Sequence, residues 1–123
     1  MSQNAKSAKN LLERFDKDVK GGLTALLIVG IILKEKRVWS YQIKKSLNRI
    51  TPGDETISNS SLYTLLGRLE SDYNLIYSEK DEEFQRRFFM PTDICDKEFN
   101  KAKTYWYNFI KTAKIAIDLL DED

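Results

Sequence analysis

Small polar side chains are concentrated at residues 58–64, and their types suit contacts with nucleic acid. Hydroxyl and amide groups at the start of a helix let an anion approach closely, where free N–H groups and the helix dipole attract it. Asn59 can pair bidentately with adenine, and Ser or Thr can bond to bases or phosphates. For Ser58 the alternative role is to cap the helix. The residues predicted to contact DNA here are Ser58, Asn59, Ser60, Ser61, Tyr63, Thr64 and Arg68.

A leucine stripe defines the opposite face of the same helix. The leucines recur at helical spacing and are Leu62, Leu65, Leu66 and Leu69. The polar residues must then point outward. Tyr63 lies opposite the stripe and has no core to fill, so we expect it to contact DNA.

Basic side chains accumulate just before this helix. From Lys34 to Ile50 there are six basic residues and one acid, Glu35. Such groups would supply the salt-sensitive, sequence-independent part of DNA affinity, although a solvated helix face is the alternative. The predicted contacts in this stretch are Tyr41, Gln42, Lys44, Lys45 and Arg49.

The charge is divided unequally along the chain, although the net charge is only +1. Residues 1–53 carry eleven basic and four acidic residues, a net of +7, whereas residues 54–123 carry nine basic and fifteen acidic residues, a net of −6. A basic half joined to an acidic half suggests that one surface faces a polyanion. Ordinary solvated helix faces would produce the same imbalance.

Catalytic chemistry has little support. The chain has no histidine, so proton transfer near neutral pH would require carboxylates or lysines with shifted pKa values. Its one cysteine, Cys95, has no histidine to form a nucleophilic pair or a typical zinc site. The five glycines form no phosphate-binding loop. We therefore expect no enzyme activity, no metal and no cofactor.

The sequence also suggests where the protein acts. The first twenty residues are polar and charged and do not resemble a secretory signal. The longest apolar run, Leu23 to Leu33, is shorter than the roughly 20 residues that span a bilayer. A single cysteine is compatible with a reducing compartment. We expect a cytoplasmic, nucleoid-associated protein without a membrane partner.

The helices that would position these groups follow from apolar spacing. Residues 5–20 form an amphipathic pattern. Leu23 to Leu33 is apolar all round apart from Thr24 and Gly30, as expected of a helix buried on most sides. Ser40 could cap a third helix in which Ile43, Leu47 and Ile50 face inward. The leucine-striped helix is the fourth.

A hairpin and a long helix follow. The β-compatible segments are 75–79 and 85–90, on either side of the polar tip 80–83. A long helix begins near Thr92 or Asp93, either of which could cap it. Three helices followed by a two-stranded hairpin is the winged helix-turn-helix arrangement. The fold class is therefore mainly α with a small β-hairpin, in one domain over 1–123: an N-terminal helix 5–20, a winged-helix core 22–92 and a C-terminal helix 93–121.

The terminal helices are predicted to form a homodimer. The last helix carries an apolar seam at heptad-like spacing, too large to leave exposed: Phe99, Ala102, Trp106, Phe109, Ala113, Ile117 and Leu120. Leu11, Leu12 and Phe15 of the first helix would pack against the partner's last helix. Packing back onto its own domain is the alternative for the seam. Two-fold symmetry would place two recognition helices about one DNA turn apart, over an inverted repeat.

The predicted hairpin, which would be the wing of this fold, gives mixed indications about contact with DNA. Arg86 and Arg87 on its second strand are predicted to contact the DNA backbone or minor groove. Its tip carries Asp81, Glu82 and Glu83, which would repel phosphate. Either the wing meets DNA through its arginines alone, or its tip turns away.

The segment Ile57 to Glu70, followed by Asn74-Leu75-Ile76, resembles the recognition-helix signature of PadR-type winged-helix regulators. In that signature a serine starts the helix, a Leu-Tyr pair follows, and Arg-Leu-Glu precedes a Gly-Leu-Ile strand entry. Tyr41 and Ile43 match the family's His-Gly-Tyr-Glu-Ile segment. Arg86-Arg87-Phe88-Phe89 resembles the Arg-Lys-Tyr-Tyr of its second wing strand. The likeness covers roughly residues 23–92.

This resemblance implies a transcriptional regulator that binds palindromic duplex DNA as a dimer held by its C-terminal helix. Three features depart from the pattern. Trp39-Ser40 replaces His-Gly, Asn59 replaces the usual proline, and Gly67 replaces a basic residue. The chain is therefore identified as a divergent member of the family.

Other functions remain open from the sequence. Related winged helices act in plasmid partition, where they bind a centromere-like DNA site and spread along it, with dimer–dimer assembly or a further protein partner. A winged helix can also serve purely as a protein-interaction module. A third alternative is a small-molecule sensor with a pocket near Trp39, Trp106 and Tyr105.

Overall fold

The computed structural model describes residues 21–51 and 57–122. The predicted helix 5–20, with Leu11, Leu12 and Phe15, lies outside the described residues. Residues 21–35 are helical and are called α1. The elements that follow are β1 (Val38–Trp39), α2 (Ser40–Ile50), α3 (Asn59–Ser71), β2 (Ile76–Asp81), β3 (Arg86–Pro91) and α4 (Cys95–Leu120).

The hairpin belongs to a three-stranded antiparallel sheet in the order β1-β3-β2. In β2 and β3, Ile76 pairs with Pro91 and Asp81 pairs with Arg86. The prediction of two strands alone was incomplete, because β1 adds a short third strand that pairs Val38 with Phe89. This strand joins the connection after α1 directly to the wing.

The core lies between the helices and the inner face of this sheet. Ile28 and Ile32 of α1 are fully buried, which agrees with an apolar run buried on most sides. From α3, Leu62, Leu66 and Leu69 are buried, and Leu65 packs at the edge of the core. The predicted leucine stripe is therefore confirmed, and it turns the polar face of α3 outward.

Three details of the predicted helix ends were wrong. Ile50, expected to face inward, is 48% exposed, because α2 ends there and its side chain lines an open groove. Ser40 does not cap α2; it is the first helical residue, and Gln42 Oε1 accepts from the Trp39 N–H at 3.1 Å. Neither Thr92 nor Asp93 is the N-cap of α4, which is Ile94.

Asn74 connects α3 to β2 in a left-handed backbone conformation, with φ of 52°. Glycine and asparagine are the residues that tolerate this conformation best. In the PadR-type signature that this segment resembles, glycine occupies this position. Asparagine also tolerates the left-handed conformation, so Asn74 is a compatible replacement. Thr92 Oγ1 donates to the Asn74 carbonyl at 2.8 Å and ties this turn to the end of β3.

Cys95, the first residue of α4, is fully buried. Burial raises the pKa of its thiol, and the nearby carboxylate of Asp96 raises it further. A smaller thiolate fraction slows attack on disulfide reagents. We expect the native protein to react with an aromatic disulfide reagent far more slowly at pH 8 than the same protein in denaturant. Equal rates in the two states would contradict this placement of the thiol.

The contact between α1 and α4 depends on a glycine. A Cβ on Gly30 would lie 3.1 Å from Cε1 of Phe99, so a larger side chain there would have to displace the Phe99 ring. We expect Gly30→Leu to lower the free energy of unfolding by about 1–3 kcal/mol.

Gly67 in α3 has open space where a Cβ would lie, so Gly67→Ala should raise the free energy of unfolding by about 0.5–1 kcal/mol. Urea denaturation followed by circular dichroism measures both, and a neutral Gly30→Leu would contradict the close packing.

Among residues 21–51 and 57–122, no helix is both long enough and apolar enough to cross a membrane.

Candidate nucleic-acid interface

The start of α3 is capped by Ser58, whose Oγ accepts from the Ser61 N–H at 3.1 Å. Ser58 Oγ also donates to Ser61 Oγ at 2.9 Å, so both hydroxyls take part in the cap. The capping role proposed for Ser58 is confirmed. Both serines remain exposed at the end of the helix.

The remaining predicted residues of α3 share one solvent-facing side. Asn59, Ser60, Tyr63, Thr64 and Arg68 are all exposed. Thr64 Oγ1 donates to the Ser60 carbonyl at 2.9 Å, so its oxygen faces solvent mainly as an acceptor. The exposed face of α3 thus presents hydroxyl, amide, phenol and guanidinium groups together.

Two hydrogen bonds join the first turns of α2 and α3. The hydroxyls of Ser40 and Tyr63 lie 3.0 Å apart. Lys44 Nζ donates to Asn59 Oδ1 at 3.0 Å. A polar cavity of about 490 Å³ opens between these turns. Its lining residues are Trp39, Ser40, Tyr41, Lys44, Lys45, Asn48, Asn59 and Tyr63.

The exposed side of α2 continues this surface. Tyr41, Lys45 and Arg49 are exposed, and Lys44 is half-buried beneath Asn59. Gln42 is exposed as well, but its amide oxygen is occupied by the Trp39 N–H. The structure therefore brings the predicted residues of α2 and the start of α3 onto neighbouring surfaces.

In the wing, both predicted arginines contact other residues of the chain, but they differ in exposure. The Arg86 guanidinium stacks on the Trp39 ring, 3.8 Å from its centroid, and is half-buried. Arg87 is exposed, and its Nη1 donates to Ser78 Oγ at 3.1 Å. Ser78 in turn donates to the Glu70 carboxylate at 2.9 Å. Arg87 is thus the more accessible of the pair.

Arg37, before β1, was not among the predicted contacts and is also engaged by the wing. It stacks on Phe88, 3.6 Å from the ring centroid, and pairs with Asp81 at 3.4 Å and with Glu79 at 3.9 Å. Its position in the basic run gave no sign of this role. The positive charge of Arg37 is therefore largely balanced by the acidic residues of β2.

The turn at the wing tip is built around Asp81. Its carboxylate accepts from the N–H groups of Glu83 and Phe84 at 2.9 Å and 3.3 Å. Burial alone would raise the pKa of Asp81, but these two hydrogen bonds and Arg37 together lower it below its ordinary 3.8. Asp81 therefore stays ionised at neutral pH. The hydrogen bonds that its carboxylate accepts weaken only when the pH falls toward this lowered pKa and the carboxylate becomes protonated. The tip remains negative in the conditions under which DNA would be bound.

Three residues of this region were not among the predicted DNA contacts. Ser40 was assigned to capping but bonds to Tyr63, and Asn48 lines the polar cavity without having been singled out. Trp39 forms the platform for Arg86. One indication was available in the sequence, the cluster Trp39-Ser40-Tyr41 beside basic residues. It locates this surface but does not show that Ser40 bonds to Tyr63 or that Arg86 stacks on Trp39.

The apolar seam of α4 divides into two parts. Phe99 and Trp106 are half-buried and face α1 of the same chain, at Gly30 and Gly22 respectively. Farther along, Phe109, Ile117 and Leu120 are exposed. The two alanines of the seam, Ala102 and Ala113, are half-buried.

Between α1, α2 and α4 runs a largely apolar groove of about 350 Å³, with Trp106 in its wall. Trp39 lines the separate polar cavity, and Tyr105 is exposed and lines neither. The three aromatic residues suggested as one ligand pocket therefore do not form one within the described chain.

Comparison with solved structures identifies the architecture. A PadR-family transcriptional regulator from Eggerthella lenta superposes with a TM-score of 0.71 and 21% identity, over 96% of this chain and 99% of that one. A PadR-family regulator from Clostridium difficile gives a TM-score of 0.59 and 28% identity, over 76% and 96%. A transcriptional regulator from Clostridium thermocellum gives 0.67 and 24%, over 85% and 96%. By sequence, no family model and no curated protein matches. The chain has the PadR-like winged-helix fold that its recognition-helix residues resemble.

Proposed function

We propose that this protein binds double-stranded DNA at specific sites as a homodimer and regulates transcription. The observation that carries this proposal is the exposed polar face of α3 beside Lys45 and Arg49, with every leucine of the helix turned inward or to the edge of the core. A recognition helix of this kind enters the major groove with its N-terminal residues at the base edges. Similar structures described as transcriptional regulators support the same function.

In this arrangement the two sets of side chains have different tasks. Lys45 and Arg49 would neutralise phosphates and so supply affinity that falls with salt. Asn59, Ser60 and Tyr63 would reach base edges or the adjoining backbone and so supply selectivity. Arg87 would contact the backbone from the wing, while the ionised tip stays clear of the phosphates.

The exposed end of α4 supports the homodimer. Phe109, Ile110 and Ile117 are all exposed in the single chain, and apolar contiguous surface of this kind marks an interface. A two-fold pair of α4 helices would orient two α3 helices toward successive turns of one DNA face. The DNA site would then be an inverted repeat.

The test is selection of duplexes from random genomic fragments, followed by binding at a series of salt concentrations. We expect the selected fragments to share an inverted repeat, with affinity that falls steeply as salt rises. A protein-interaction module would instead show no salt-dependent affinity for any duplex. Absence of binding at low ionic strength would therefore refute the proposed function.

A further inference from the structure

The contact between Lys44 and Asn59 fixes which groups of Asn59 are free. Lys44 Nζ lies 3.0 Å from Asn59 Oδ1, across the gap between α2 and α3. A lysine ammonium can only donate hydrogen bonds, so the amide atom facing it must be the oxygen. The amide NH₂ of Asn59 is then the group left to contact a ligand. Among the described residues, none accepts a hydrogen bond from it.

This orientation is unfavourable for adenine. Bidentate pairing with adenine needs Oδ1 to accept from the N6 amino group while Nδ2 donates to N7. In this structure Oδ1 already accepts from the Lys44 ammonium. The oxygen has a second lone pair, but an amino group bonded there would lie beside the ammonium, which is itself a donor. Cytosine also presents an amino group in the major groove. Guanine O6 and thymine O4 are acceptors, which match both the NH₂ of Asn59 and the ammonium of Lys44.

We propose that Lys44 and Asn59 act together as a donor pair that selects guanine or thymine over adenine and cytosine at one position of each half-site. This proposal rests on the proposed function, since it concerns what α3 reads in the major groove. Lys44 has two tasks here: its ammonium orients the amide of Asn59, and it is itself a donor toward the acceptor on the base. The identity of the base follows from the donor character of both groups.

The test compares four proteins by selection from a randomised duplex library and sequencing: the wild type, Asn59→Ala, Lys44→Met and Lys45→Met. Asn59→Ala identifies the position, because preference should be lost there and kept elsewhere. In the wild type that position should carry guanine or thymine. Lys44→Met frees the amide oxygen, so adenine at that position should rise by about five-fold or more relative to guanine and thymine.

Lys45→Met is the matched control. Lys45 lies next to Lys44 on α2, its substitution removes the same charge, and the hydrogen bond to Asn59 Oδ1 comes from Lys44. Both lysine variants should weaken binding and reduce its salt dependence, but only Lys44→Met should change the base preference. Thermal melts of the four proteins confirm that each is folded.

Three results would overturn the proposal. The first is a wild type that selects adenine at the position sensitive to Asn59→Ala. The second is an unchanged preference in Lys44→Met. The third is a uniform loss of affinity in Asn59→Ala, which would mean that Asn59 contacts phosphate. A wild type that binds no duplex even at low salt would instead refute the proposed function itself, and is readily distinguished from these outcomes.

Discussion

The double substitution Phe109→Glu with Ile117→Glu is expected to prevent formation of the proposed homodimer and to weaken binding to the proposed inverted repeat by at least about 100-fold. In the single chain these side chains are 46% and 58% exposed, so the charges should not unfold the domain. In the dimer they would lie in an apolar interface, where an unpaired carboxylate costs several kcal/mol. Sedimentation equilibrium measures the mass, and gel shifts with full and half sites measure the affinity.

The control places the same charges on the opposite face of α4. Thr104→Glu with Asn108→Glu adds two glutamates at exposed positions away from the seam. This variant should remain a dimer with nearly unchanged affinity. Affinity for an isolated half-site should be similar in both variants, because α3 is untouched. If the Phe109/Ile117 variant remains dimeric, the interface is not on this face of α4.

Replacing Tyr63 with alanine is expected to lower DNA affinity about ten-fold, a loss of roughly 1–2 kcal/mol. Its side chain is 54% exposed on the face of α3 that carries Asn59 and Ser60, and its hydroxyl bonds to Ser40. An exposed tyrosine contributes little to folding, so the free energy of unfolding should change by less than about 1 kcal/mol. Fluorescence anisotropy with a labelled operator and urea denaturation measure the two quantities.

Two comparisons separate the causes of this loss. Tyr73→Ala removes an equally exposed tyrosine, at 62%, beyond the other end of α3, and should leave DNA affinity unchanged. Tyr63→Phe keeps the ring and removes the bond to Ser40, so it shows how much of the effect depends on the hydroxyl. Unchanged affinity in Tyr63→Ala would place the DNA contacts elsewhere on the chain.

The structure confirmed the leucine stripe of α3, which was predicted from periodicity, and the Ser58 cap, which was predicted from local chemistry. The leucines of α3 are buried and its polar residues exposed, because a 13-residue amphipathic helix has only one face that can join a core. Ser58 could be identified as a cap for a similar reason, since a hydroxyl next to free N–H groups bonds locally. Neither inference requires knowledge of the rest of the chain.

Short or terminal features were not predictable in the same way. The strand Val38–Trp39 has two residues, too few to show alternation, and exists because β3 offers it a partner. Ile50 continues the apolar spacing of α2, but its side chain lies at the end of that helix and is 48% exposed. Both outcomes depend on which distant segment lies alongside.

Side-chain pairings between distant parts of the chain were also outside the reach of the sequence. Arg86 and Arg87 are adjacent and look alike in sequence. They alternate across β3, so one stacks on Trp39 and the other faces solvent. Likewise, Lys44 and Lys45 are equivalent by type, but only Lys44 reaches Asn59. Within each pair the two side chains point in different directions and make different contacts. Only the three-dimensional structure shows these directions.

The pairing of β1 with β3 and the stack of Arg86 on Trp39 join the wing to the first residues of α2. The hydrogen bonds of Ser40 and Lys44 then join α2 to α3. The wing, α2 and α3 are thus connected to one another through these contacts. In the proposed complex, a DNA site whose groove width differs from the distance between the wing and α3 would have to bend or narrow to fit. Base pairs that no side chain touches would then influence affinity through their stiffness.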